Sequence, residues 1–94
     1  MKFPVSTWRA GECYGIWIPK EFIENFKGFK EVTIYIGNDK VTRPLRQTFW
    51  STCPEIRGKV FRKFFQEHGL LDWERDKPHK LFLNKENNIF SLSI

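Results

Sequence analysis

Cysteine is almost missing from this chain. Cys13 and Cys53 are the only two, and neither belongs to a CxxC pair or to a cluster with histidine. Two thiols cannot define a disulfide framework, so the expectation is that both stay reduced. The histidines, His68 and His79, are not spaced as a metal pair and have no carboxylate in register, so no zinc site or other cofactor is expected. Long apolar runs are absent as well. No stretch approaches the roughly 18 to 20 apolar residues that a membrane-spanning helix needs, and the opening MKFPVSTWRAGE lacks the apolar segment of a secretory signal. The expectation is an intracellular protein, of cytoplasm or nucleus, with no membrane partner. No repeat, low-complexity tract or linker divides the chain, and its 94 residues leave room for one small domain, 1–94.

Phenylalanine and basic residues are plentiful. Ten Phe supply apolar surface for a core, and the formal net charge is +5. The distribution of that charge says more than its total. Between Lys40 and Lys63 stand seven basic residues, Lys40, Arg43, Arg46, Arg57, Lys59, Arg62 and Lys63, against the single acid Glu55. The remainder of the chain carries nine basic and ten acidic residues, so the positive excess lies in one quarter of the sequence. Such a cluster suits a polyanion-binding face, because each Lys or Arg set against a phosphate releases condensed counterions. A solvated charged surface is the other reading of the same residues.

Local patterns set the elements. Pro19 suits the first turn of a helix, where its missing N–H would be unpaired anyway, and Phe22, Ile23 and Phe26 form an apolar stripe before Gly28. GIWI reads as a short strand leading into that helix. In EVTIYIGNDKVTRPL, Val32, Ile34 and Ile36 alternate with Thr33 and Tyr35, which predicts a hairpin turning at Gly37-Asn38-Asp39, with Pro44 marking an edge. A second helix is expected to start near Gly58 and stop at Gly69, with Val60, Phe61, Phe64, Phe65 and His68 at helical spacing opposite a polar side. KLFLNKENNIFSLSI predicts a closing hairpin, with its turn at 85–88 and Phe90, Leu92 and Ile94 on one face. The expected fold is mainly β with two short α-helices plugging the ends of a small barrel or strongly bent sheet.

Four separated pieces, IWIPKEF (16–22), RQTFW (46–50), FRKFFQEHGLL (61–71) and FSLSI (90–94), occur in an order and spacing that resembles the plant B-three DNA-binding domain and the related DNA-recognition domains of certain bacterial restriction endonucleases. IWIPKEF is similar to that family's strand-to-helix junction. RQTFW is similar to its Arg-x-Ser/Thr-aromatic-Trp strand, FRKFFQEHGLL to its second helix, and FSLSI to its last barrel strand. The chain departs from the family after residue 71, where DWERDKPHK (72–80) replaces a shorter Gly-Asp link and leaves the strand register open.

The resemblance implies an open seven-stranded pseudobarrel that grips the major groove of double-stranded DNA between two arms, residues 6–15 and 46–59. It also leaves room for other domains or subunits of a larger DNA-acting system. On the first arm the candidate contacts are Thr7, Trp8 and Arg9. On the second they are Arg46, Gln47, Thr48, Ser51, Thr52, Arg57 and Lys59, and Lys20 near the strand junction is a phosphate candidate. The chemistry is suitable: Arg matches guanine bidentately, Gln matches adenine, and hydroxyls and Lys reach phosphates or either base. Trp8 and Trp50 read more readily as packing residues that brace the arms than as stacking partners for bases, and Ser51 or Thr52 also read as caps before Pro54.

An enzyme is not expected. Asp72, Glu74 and Asp76 lie two residues apart beside Lys77 without the glycine of a calcium-type loop, and a solvated turn accounts for them. The alternative function is a protein-interaction module, or an RNA- or single-strand-binding domain, using the same basic strip and exposed Trp residues.

Overall fold

Alternation of small or polar with apolar residues along KFPVSTWRA makes it a strand, β1 (Lys2–Ala10), which turns Phe3, Val5 and Thr7 inward. A computed structural model of the chain describes Met1–Ile94, with 44% of the residues in strands and 22% in helices, well on the β side of ordinary proportions. Gly11, at φ +61°, and Glu12 return the chain into β2 (Cys13–Trp17). Ile18 and Pro19 lead into a 3-10 helix (Lys20–Phe26), tighter than the expected α-helix. The first predicted hairpin follows as β3 (Glu31–Ile36) and β4 (Asp39–Pro44), with Val32, Ile34 and Ile36 buried.

After β4 come α1 (Gln47–Ser51), the three-residue β5 (Glu55–Arg57) and α2 (Lys59–Glu67). Gly58 sits at the N-cap of α2, and Phe61, Phe64 and Phe65 face inward as the helical spacing predicts. The closing hairpin is β6 (Lys80–Glu86) and β7 (Ile89–Ser93). Its turn is shorter than expected: Lys85 and Glu86 remain in β6, and Asn87, at φ +57°, makes the reversal with Asn88. Ile94 lies past the end of β7 and is exposed, so only Phe90 and Leu92 of its expected face reach the core.

RQTFW is the clear correction. The resemblance made it a barrel strand, whereas residues 47–51 are helical, with Phe49 N–H donating to the Arg46 carbonyl at 3.0 Å and Thr52 N–H to the Thr48 carbonyl at 3.0 Å. β4 ends at one edge of the sheet and β5 begins at the other. A single helical turn satisfies the backbone between them internally, with no strand partner needed. It also drives Phe49 inward beside Phe26, at 5.4 Å between ring centroids.

The strands form one sheet in the order β4-β3-β7-β6-β1-β2-β5, antiparallel except for the parallel β3–β7 pair. It curls into a nearly closed barrel whose two edges, β4 and β5, meet at a seam. There Arg43 Nε–H donates to the Arg57 carbonyl at 2.7 Å. Seventeen buried apolar side chains, seven of them Phe, fill the interior. Phe26 is its hub, stacked on Phe90 at 4.9 Å and edge-on to Phe3 at 6.2 Å. The 3-10 helix covers the end where β1 begins, through Phe22 on Phe3. Helix α2 covers the end beside the β1–β2 turn, through Phe65 on Tyr14.

Candidate nucleic-acid interface

The two expected arms become neighbours in the sheet. The first is a tight β1–β2 hairpin, with only Gly11 and Glu12 outside the strands, instead of a loop of ten residues. The second contains α1 and β5, and β5 pairs with β2 in the register Gly15↔Arg57, Ile16↔Ile56 and Trp17↔Glu55. Gly15 permits this pairing. A Cβ there would lie 2.8 Å from Arg57 Cα and closer still to the Ile56 carbonyl. With no side chain at Gly15, Arg57 reaches across β2 to the ring of Trp8, its guanidinium carbon 5.8 Å from the centroid.

Two clefts flank the seam. One, of about 260 Å³, lies between the end of β4 and α1–β5 and is lined by Arg43, Arg46, Thr48, Cys53 and Arg57. The other, of about 480 Å³, lies between the first-arm turn and the start of α2, where Glu12, Cys13 and Tyr14 meet Arg43, Arg57, Lys59 and Arg62. Five cations from β4, the β4–α1 link, β5 and α2 therefore converge on one edge of the barrel. Arg46, Lys59 and Arg62 have no acidic partner within 4 Å, and Arg57 has only a loose contact with Glu55 at 3.6 Å. Arg62 lies 6.0 Å from the Tyr14 ring. Lys63, on the same helix, is committed to Asp39 at 3.1 Å, and that hydrogen bond holds its ammonium above the ordinary lysine pKa.

The remaining candidates divide between this edge and elsewhere. Gln47 and Thr52 are exposed on and after α1, and Ser51 donates its hydroxyl to the Gln47 carbonyl at 3.0 Å, a local use that leaves its lone pairs free. Trp50 is 38% exposed and braces Phe49 edge-on at 5.1 Å. Thr7 turns inward instead: it is 3% exposed, its N–H donates to the His79 carbonyl, and its hydroxyl accepts from His79 N–H, both at 2.9 Å. It ties the first arm to the 72–80 connection and lines neither seam cleft. Lys20 lies in a shallow depression with Glu21 and Glu24 and lines neither seam cleft. Arg9 turns toward Tyr14 and Trp73, donating to the Tyr14 hydroxyl at 3.5 Å, which raises its pKa above the ordinary arginine value.

Arg43 and Arg62 line the seam clefts although neither was among the expected contacts. Both stand in the basic run, and Arg43 shares the inward parity of Asp39 and Val41 on an edge strand. That parity is the available sign that Arg43 wraps toward the seam. No family model, curated protein or solved structure matches the chain.

Proposed function

We propose that this chain is a non-catalytic double-stranded DNA-binding domain of the B-three type, seating a phosphate backbone along the barrel seam. The observation that carries the reading is the convergence of Arg43, Arg46, Arg57, Lys59 and Arg62 on two clefts that share the seam. Four separate elements deliver these charges to one edge, at the cost of mutual repulsion that a bound polyanion relieves. Gln47, Thr48 and Thr52 on the adjacent helical turn supply neutral hydrogen-bonding groups suited to base edges. The acidic residues of the 72–80 connection are in keeping with a solvated turn, Glu74 pairing with Lys77 at 3.5 Å.

Duplex affinity measured against salt tests the proposal. Four to five phosphate contacts correspond to a log–log slope of about −4. Arg46→Ala and Lys59→Ala should each weaken binding to all duplexes alike and reduce that slope by about 1. Arg57→Ala should cost about 1–3 kcal/mol and relax preference at one base position if it reads a base. Failure to bind duplex, single strand and RNA alike at low salt would sink the reading in favour of a protein-interaction module.

A further inference from the structure

A third cleft, of about 500 Å³, opens on the side of the first arm away from the seam, and three of the four tryptophans line it: Trp8, Trp17 and Trp73, with Arg9 and Arg75. It exists because β6 stops at Lys80, opposite Ser6, so the segment 72–79 crosses beside the outer part of β1 instead of a strand. The paired bonds between Thr7 and His79 pin that crossing. Trp73 is fixed by edge contacts with Tyr14 at 6.3 Å and His79 at 5.9 Å, and Arg9 stands 5.5 Å over its ring. Trp8 and Trp17 stand on one face of the β1–β2 pair, where Trp8 faces Gly15 and so has no opposing side chain.

The chemistry of the walls narrows the occupant. The only charged residues lining the cleft are the two arginines, so it is not a cage for a cationic ammonium group, whose charge they would repel. An apolar peptide side chain has no use for two guanidiniums. Indole faces with arginines fit a ligand that is flat and anionic. In paired DNA the flat faces of the bases are covered by their neighbours, so an indole can stack only on a base that has left the helix or was never paired.

We infer that this cleft is a subsite for a single unpaired nucleotide, its base stacked among Trp8, Trp17 and Trp73 and its phosphate held by Arg9 and Arg75. The inference rests on the DNA-binding reading, since the nucleotide belongs to DNA seated on the seam. Arg57 is the physical link, lining both seam clefts while lying over Trp8. The domain then prefers duplex that carries an unpaired base next to paired DNA.

The test uses three short DNAs: a fully paired duplex, the same duplex with one bulged thymidine, and the same bulge without its base. The bulged duplex should bind about tenfold more tightly than the paired one, and the baseless bulge should lose that gain. Arg75→Glu and Trp73→Leu should each abolish the preference while changing paired-duplex affinity by less than about threefold. Arg75 is exposed, so its variant remains informative if Trp73→Leu does not fold. Equal affinity for all three DNAs overturns the inference, as does a gain that persists without the base, which would report flexibility in place of stacking. If paired duplex binds with the expected salt slope but the bulge adds nothing, only the subsite falls. If paired duplex does not bind while oligothymidylate quenches the tryptophan fluorescence, the cleft stands and the duplex reading falls.

Discussion

Gly15 carries no chemistry, yet the candidate interface depends on what it lacks. Gly15→Ala would drive a methyl into the Ile56 backbone and push β5 off β2. Overpacking of this kind should cost about 1–3 kcal/mol in urea unfolding, and duplex affinity should fall as Arg57 moves away from Trp8. Lys63 offers a different single-residue test. Its folded-state pKa is raised, first by the hydrogen bond to Asp39, then by the charges of Asp39 and Glu67. The stabilising contribution is therefore fully present below the ordinary lysine pKa of about 10.4 and is lost as pH rises through the raised folded value. Melting temperatures of the native chain and Lys63→Met should differ most near neutral pH and converge at strongly alkaline pH. A gap that widens with pH would contradict that assignment.

At the scale of elements, α1 divides adjacent aromatics between two tasks. Phe49 is 4% exposed and edge-on to Phe26, while Trp50 lies outside it, 38% exposed. Phe49→Ala should cost about 3–5 kcal/mol through the cavity it leaves, and Trp50→Ala well under half as much in the same denaturant titration. Comparable costs would mean that α1 is held from outside as much as from within. The turn also explains how a stretch expected as a strand ends up helical. Its length is set by the need to pass from one sheet edge to the other, a demand that RQTFW does not carry locally.

For the whole molecule, closure of the barrel comes down to a few contacts at the seam. Arg43 donates across it to the Arg57 carbonyl, and Gly58 brings the start of α2 close to Val41. Arg43→Gln should cost about 1 kcal/mol. It should speed amide exchange in residues 55–58 while leaving exchange in the β6–β7 hairpin unchanged. Uniform acceleration across all strands would show that the seam opens only with global unfolding. The same arginine lines both seam clefts, so this variant should also lower duplex affinity; closure of the barrel and assembly of the basic edge share a residue.

Most of the secondary structure was legible because it follows short-range rules. The apolar alternation in β3, the turn-forming residues between β3 and β4 and between β6 and β7, the Phe spacing of α2 and the glycines at 58 and 69 each act within a few residues. The charge run from Lys40 to Lys63 likewise marked the basic edge, because all five converging cations lie within it, although only Arg46, Arg57 and Lys59 were among the expected contacts. What only the tertiary structure decided is long-range. The pairing of β2 with β5, the seam between β4 and β5, the inward turn of Thr7 onto His79 and the return of Trp73 and Arg75 to the first arm join residues far apart in the chain. Such contacts depend on which strands become edges and how far each one runs. Those outcomes are set by packing seven phenylalanines and ten other apolar side chains into one small barrel, and no local pattern encodes them.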